Sequence, residues 1–335
     1  MDKVAKLSPA NRRDLFEAAA AKRGLHPAVV EKDFWVCWSL KRLFSLPGLA
    51  EHLVFKGGTA LAKVDGLIER FSEDIDLVLD WELLGYGGGG ADPWEPQASN
   101  TKLDKLSKEI NAHAGEYLEQ TLCPLLNENM GDIPGLRASV SPHEQLTINI
   151  HYPEVFGLEA LRPDVKLEIG PLASRVPSRR AVIRPYAAEE FPKVFDDPDC
   201  HVTAIRGERT FWEKATILHR EAHRVGITPK RYSRHYYDLF QMRSHPVAAS
   251  AIKDLDLLAD VIRFKQRFYR SGWALYELAK PGSFRLLPTE KGGRELAADY
   301  RRMRPMFFSE PPPWDRILKG LGQLELAINQ LEPQP

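Results

Sequence analysis

Residues 55–79 read FKGGTALAKVDGLIERFSEDIDLVL, and this stretch decides the fold. A short apolar run, Leu53, Val54 and Phe55, leads into Lys56, Gly57, Gly58 and Thr59. A second apolar run, Ile75, Leu77, Val78 and Leu79, has Asp74 and Asp76 flanking Ile75. On a strand, residues two apart leave the same side. Both carboxylates therefore share one face, while Ile75 and Leu77 turn to the core. Two like charges so close repel each other, and a divalent cation relieves the repulsion. The glycine pair bares backbone amides that suit phosphate oxygens. Between the two strands the sequence predicts a helix over about 59–69. A phosphate cradle facing a metal-holding carboxylate pair is the equipment for moving a nucleotidyl group.

Working outward, four alternating runs at 136–140, 145–151, 165–169 and 181–183 are expected as strands of the same sheet. Ser8-Pro9 starts a helix that Gly24 ends, and His26-Pro27 starts a second through about Phe44. Within the second, Glu31-Lys32-Asp33-Phe34-Trp35 is dense in charge and aromatics. It reads either as an amphipathic helix capping the next domain or as a surface that meets a nucleotide base. Residues 84–99 form a Gly/Pro loop, an insertion or a flap over the site. Residues 101–129 follow a helical period, and helices are expected near 210–223, 233–244, 250–279, 290–306 and 313–331. The expected division is a helical segment over 1–48, a core over 49–205 and a helical domain over 206–335.

Further charged residues stand where the same chemistry would want them. Lys166 and Glu168 share the polar face of a strand opposite Val165, Leu167 and Ile169. Two-metal phosphoryl chemistry commonly uses a third carboxylate, which makes Glu168 a candidate metal ligand and proton acceptor. The plainer reading is an exposed Lys/Glu face. Lys214, on an amphipathic helix, could reach a triphosphate, or be a surface lysine paired locally. Asp238 lies four residues after Arg234, so the two could form a helix ion pair. Alternatively, Asp238 orients a lysine or arginine near the triphosphate. Basic residues cluster at Arg175, Arg179, Arg180 and Arg184, and again at Arg263, Lys265, Arg267 and Arg270. The second group is interleaved with Phe264, Phe268 and Tyr269, a pattern that suits RNA.

Composition excludes several classes. The 335 residues carry 46 basic and 46 acidic side chains, so a nucleic-acid partner must be met by a local patch. Cys37, Cys123 and Cys200 are odd in number and far apart, which argues against zinc and against a disulfide framework. No apolar run approaches the ~20 residues that span a bilayer, and the N-terminus has no signal-peptide core. A cytoplasmic monomer with no membrane contact is expected. His219 and His223 form no HExxH pattern, and no GxxxxGK[ST] loop is present.

Four blocks, in order, resemble the AbiEii/AbiGii toxin family of nucleotidyltransferases. They are Lys56-Gly57-Gly58-Thr59-Ala60-Leu61 with Ser72-Glu73-Asp74-Ile75-Asp76-Leu77, then Val165-Lys166-Leu167-Glu168-Ile169, then Thr210 to Lys214, then Arg231 to Leu239. The Glu31–Trp35 turn also looks like the family's N-terminal segment. The resemblance implies an α+β fold with a polymerase-β-like nucleotidyltransferase core and mixed sheet, N-terminal helices and a C-terminal helical domain. It implies a toxin of a toxin–antitoxin system linked to abortive infection and phage defence, with an antitoxin encoded by a neighbouring gene. It also implies an NTP co-substrate, Mg²⁺ or Mn²⁺, and transfer to the tRNA 3′ end. Carried over, Asp74, Asp76 and Glu168 would hold metal, and Lys56, Gly57, Gly58, Thr59, Ser72 and Lys166 would bind the nucleotide. Lys214 and Asp238 would complete the catalytic set. Lys63 stands near where the family often has an arginine, and could replace it as a charge but not as a bidentate fork. Other outcomes are transfer to a protein or a small molecule, or a nucleotide-binding module without catalysis.

Overall fold

The alternating runs become one seven-stranded mixed sheet in the computed structural model, which describes residues 1–87, 91–95, 99–159 and 161–332. Its strands are β1 (Leu53–Lys56), β2 (Ile75–Leu79), β3 (Arg137–Val140), β4 (Thr147–His151), β5 (Asp164–Gly170), β6 (Ser178–Ile183) and β7 (Cys200–Ile205). The order across the sheet is β3-β4-β5-β2-β1-β7-β6. β1 lies antiparallel to β2, whereas β2 runs parallel to β5 and β1 parallel to β7. β7 lies outside the strands expected from sequence, although its apolar Cys200, Val202 and Ala204 alternate with His201 and Thr203.

Alternation also gives the sheet two different faces. Phe55, Ile75, Leu77, Ile148 and Leu167 enter one apolar core with Phe16, Val30, Phe34 and Trp35 of the N-terminal helices. The opposite face carries a small cluster of Val54, Val78 and Ile205, and beside it the charged residues of β2 and β5. From Phe71 to Leu77, buried and half-exposed residues alternate, with Ser72, Asp74 and Asp76 half-exposed. The pattern that placed both aspartates on one face therefore holds.

The helix caps act where the sequence puts them. Ser8 accepts the Asn11 N–H at the start of helix Pro9–Arg23, and Gly24 ends it at φ 65°. The His26 ring caps helix Pro27–Leu43 by accepting the Ala28 N–H. That helix is buried nearly all round, including Glu31, Lys32 and Asp33. It is therefore neither an amphipathic cap nor a base-contacting surface; a helix covered on all sides is a core helix. The helix expected over 59–69 spans Gly57–Lys63 and stops before Gly66, which takes φ 63°. The 101–129 helix consists of Asn100–Tyr117 and Cys123–Asn129 joined by a π-helical turn, Leu118–Leu122. Pro124 has no N–H for the carbonyl four residues back, and the wider turn absorbs that gap. In the 84–99 loop, Tyr86 is buried and its hydroxyl bonds the His113 ring at 2.8 Å. Positions 88–90 and 96–98 of that loop lie outside the described residues.

The chain forms two compact units, Met1–Val64 with Phe71–Ile205, and Asp65–Arg70 with Arg206–Pro335. The N-terminal helices thus share a core with the sheet, and the short Asp65–Arg70 segment belongs with the C-terminal helices. The second unit contains helices Gly207–Ala222, Ser233–Met242, Pro246–Lys253, Leu255–Phe268, Glu290–Arg302 and Trp314–Asn329. The single helix expected over 250–279 is broken: Asp254 leaves helical geometry and caps helix Leu255–Phe268 through the Leu257 N–H, and only the short 3-10 turns Gly272–Ala274 and Tyr276–Leu278 follow. No helix among the described residues is long and apolar enough to cross a membrane.

The first unit's core centres on Trp35, fully buried, stacked on Tyr152 at 5.4 Å and edge-on to Phe34 and Trp38. Trp35→Ala should destabilise this unit by about 3–5 kcal/mol through lost burial and an unfilled cavity. Urea unfolding followed by near-UV circular dichroism measures it, and a loss below about 1 kcal/mol would mean the pocket collapses around the smaller side chain.

Candidate active site

The centre of the first unit's polar face is fixed by strand register. Asp76 faces Lys56 across the β1–β2 pair and Glu168 across the β2–β5 pair. Side chains at paired positions leave the sheet on the same side. Asp76, Glu168 and Lys56 are therefore neighbours on one face, with Asp74 two residues before Asp76. On the next strand, Thr147 and Asn149 pair with Glu168 and Lys166.

Gly57 lets the backbone reach this face. It turns β1 into helix Gly57–Lys63 at φ 80°, where L side chains are strained. A Cβ there would lie 1.8 Å from Asp76 Oδ2 and 2.6 Å from its Cγ. Only the absence of a side chain allows the glycine turn to close over the aspartate. Gly58 follows as the second residue of the helix. Thr59, expected at the nucleotide, is buried instead. Its hydroxyl points to the backbone carbonyls of Asp74 (2.5 Å) and Ser72 (3.1 Å). It thereby ties the helix to the aspartate segment.

The lysines are held more tightly than the sequence suggests. Lys166 Nζ lies 2.5 Å from Glu168 Oε1 and 2.8 Å from Glu144 Oε1. Burial opposes its charge, but these two carboxylates and the field of Asp74 raise its pKa above the ordinary lysine value. Lys63, expected as a replacement phosphate charge, is turned away. It is buried, its Nζ is 2.7 Å from Asp33 Oδ1, and it sits 3.8 Å from the Tyr186 ring centroid. Burial alone would lower its pKa, and Asp33 outweighs burial and raises it.

Lys214 and Asp238 belong to the second unit, where Asp238 is fully buried. Its carboxylate receives two hydrogen bonds from Arg70, through Nε and Nη2, each 2.7 Å. Lys214 Nζ gives it a third at 2.8 Å. The ammonium is thus committed to Asp238, because a buried cation needs a nearby opposite charge. Arg234, the expected helix partner of Asp238, is displaced in that role by Arg70. Burial would raise the Asp238 pKa, yet Arg70 and Lys214 hold it well below the usual carboxylate range. Sequence reading overlooked Arg70, since its partner lies 168 positions away.

Some members of the basic clusters are paired with carboxylates. Arg175 meets Asp80, Arg184 meets Asp199, and Arg263 meets Asp260 at 2.8 Å. Phe264 is buried and Lys265 donates to the Glu213 carbonyl, so neither offers a stacking or phosphate surface.

The donor chemistry suits a hard divalent cation. Mg²⁺ is usually held by one or two carboxylates and completed by substrate phosphates. Asp74 and Asp76 supply such a pair of oxygen donors, and the glycine turn brings backbone against Asp76. Among the described residues no group of three or more His, Cys, Asp or Glu side chains is gathered to hold an ion alone. Substrate phosphates would complete the shell of an ion held by Asp74 and Asp76.

The mixed sheet thus carries the Gly57-Gly58 turn against Asp76 of β2, with Asp74 just before that strand. A family model described as nucleotidyl transferase AbiEii toxin, type IV toxin–antitoxin system, matches residues 38–320. The chain belongs to this family of type IV toxin–antitoxin nucleotidyltransferase toxins. No curated protein matches the sequence. Among solved structures, the chain is similar to MenT4, nucleotidyltransferase toxin Rv2826c from Mycobacterium tuberculosis H37Rv. The TM-score is 0.43 at 17% identity, covering 97% of this chain and 100% of that one.

Gly57→Ala should displace the Asp76 carboxylate and strain the turn, at a cost of about 1–2 kcal/mol from the backbone alone. Thermal unfolding measures the cost, and wild-type stability would contradict the close approach. Asp238→Asn leaves two buried cations short of a partner and should cost about 3–5 kcal/mol. The native carboxylate's contribution is complete above its unfolded pKa of about 3.9 and is lost as pH falls toward the depressed folded value. Urea unfolding of the second unit between neutral and acid pH should therefore show a weaker acid dependence in Asp238→Asn than in the wild type.

Proposed function

We propose that the chain transfers a nucleoside monophosphate from an NTP to an RNA acceptor, the tRNA 3′ end, and so blocks translation. The observation that carries this is the register of Asp76 with Glu168, under a glycine turn that admits no side chain. Asp74 and Asp76 would hold a divalent cation, which would supply positive charge against the triphosphate and the leaving pyrophosphate. Gly57, Gly58 and Ser72 are assigned to hydrogen-bonding the phosphates. Thr59 keeps the turn and the aspartates together.

Glu168 is assigned the proton of the attacking 3′-hydroxyl. Its side chain is 44% exposed, so an acceptor can approach it. In the resting protein Lys166 neutralises it, and Lys166 can exchange that contact for a phosphate oxygen while Glu144 keeps it in place. Attack at the α-phosphorus forms the new phosphodiester bond and breaks the bond to pyrophosphate. An antitoxin from a neighbouring gene is the expected partner, and the cytoplasm is the compartment in which tRNA is met.

Incubation with labelled NTPs, Mg²⁺ and bulk tRNA should yield labelled RNA that resists protease and yields to RNase. Asp76→Ala should lower the rate about 10²–10⁴-fold, as for other preorganised electrostatic groups. Labelling by Asp76→Ala at the wild-type rate would remove Asp76 from the chemistry.

A further inference from the structure

Glu31, Lys32 and Asp33 form one turn of a core helix, at 0%, 0% and 3% exposure, and lie before the region matched by the family model. Charged residues are almost never fully buried unless paired. Here each points to a different segment of the same unit. Glu31 accepts the backbone N–H of Val155 (2.9 Å) and Phe156 (2.9 Å), in the connection that leads from β4 to β5. Lys32 donates to the carbonyls of Arg162 (2.7 Å) and Asp164, where β5 begins. Its Nζ is also 3.6 Å from Glu73, the residue before Asp74, and Glu73 in turn accepts the Arg162 N–H. Asp33 pairs with Lys63 at 2.7 Å and accepts the Tyr186 N–H at 2.6 Å. Lys63 is the last residue of the helix that begins at Gly57.

We propose that the Glu31-Lys32-Asp33 turn is a positioning device, with each side chain fixing one segment of the candidate site. Lys32 sets the start of β5 against the Glu73–Asp74 segment, and so sets Glu168 relative to the two aspartates. Asp33 clamps the far end of the glycine helix, and so holds Gly57 over Asp76. Glu31 holds the chain that delivers β5. Apolar residues of similar volume often stabilise a core as well as a buried ion pair does. What they cannot do is specify direction. A displacement of about 1 Å at reacting groups can cost on the order of 10² in rate, which makes such bracing consequential. These three are positioning residues, since none is assigned a contact with substrate.

The proposal rests on the transferase reading for its purpose, and its first test does not need that reading. Hydrogen–deuterium exchange of the full chain compares the wild type with Lys32→Met and Asp33→Asn. Lys32→Met should accelerate exchange about tenfold or more at 72–76 and 162–168, leaving 57–64 unchanged. Asp33→Asn should do the reverse, accelerating 57–64 and 186–188 and sparing 162–168. If Asp33→Asn does not fold because Lys63 is left alone, the double variant Asp33→Leu with Lys63→Met removes both charges. It should fold and show the same local acceleration. Equal acceleration across the first unit, protection unchanged in the named segments, or failure of the double variant to fold would each overturn the positional assignment. Pyrophosphate release with Mg²⁺ and NTP is the second readout. Lys32→Met should lower kcat about 10²-fold with the NTP KM changed less than about threefold. A fall in kcat no greater than about twofold would overturn the link from bracing to rate. If the wild type releases no pyrophosphate, the transferase reading fails while the exchange pattern still decides the bracing.

Discussion

The approach of Gly57 to Asp76 is the constraint on which the first unit's polar face depends. The carboxylate occupies the volume where any other residue would place a Cβ. That contact sets how β1 turns into its helix and how close backbone amides come to the aspartates. It also explains why Thr59 faces inward: with the turn this tight, its hydroxyl reaches the carbonyls of Ser72 and Asp74. Strand register then supplies Glu168 and Lys166 from β5 without any loop having to position them. Sites built on strands in register are held more precisely than sites on loops.

Both units bury charge, and both set buried charges against opposite ones. In the first, Lys32 and Asp33 connect a core helix to the segments around the aspartates. In the second, Asp238 gathers Arg70 and Lys214 into a cluster with three hydrogen bonds. Breaking one member of such a cluster is costly, whereas the intact cluster adds little net stability over an apolar core. Its value is geometric: a carboxylate that accepts a bidentate arginine fixes direction as well as distance. Asp65–Arg70 is sequentially part of the glycine–aspartate stretch, yet it belongs to the second unit. The stretch over 55–79 therefore contributes to both units.

Local features were legible in the sequence, and long-range pairings were not. The half-exposed Ser72, Asp74 and Asp76 follow from period-two alternation, and Ser8, Gly24 and His26 cap helices as their types suggest. β7 could have been found, since Cys200, Val202 and Ala204 alternate with polar residues; the run is short and has few strongly apolar side chains. Glu31-Lys32-Asp33 misled because charge on a helix usually marks a solvated face, and its partners lie about 30 to 150 positions away. Arg70 was hidden by a nearer candidate, Arg234, at helix spacing from Asp238. Sequence spacing reveals which residues share an element's face, but not which distant element arrives to pair with them.

The most direct test of the proposed chemistry is the sequence of RNA 3′ ends in cells expressing the chain. Transfer of a nucleoside monophosphate to tRNA predicts added nucleotides beyond the mature 3′ terminus of some tRNAs, and none in cells expressing an Asp74→Asn, Asp76→Asn variant. Growth arrest with unextended tRNA 3′ ends, or the same extension with both aspartates replaced, would contradict it.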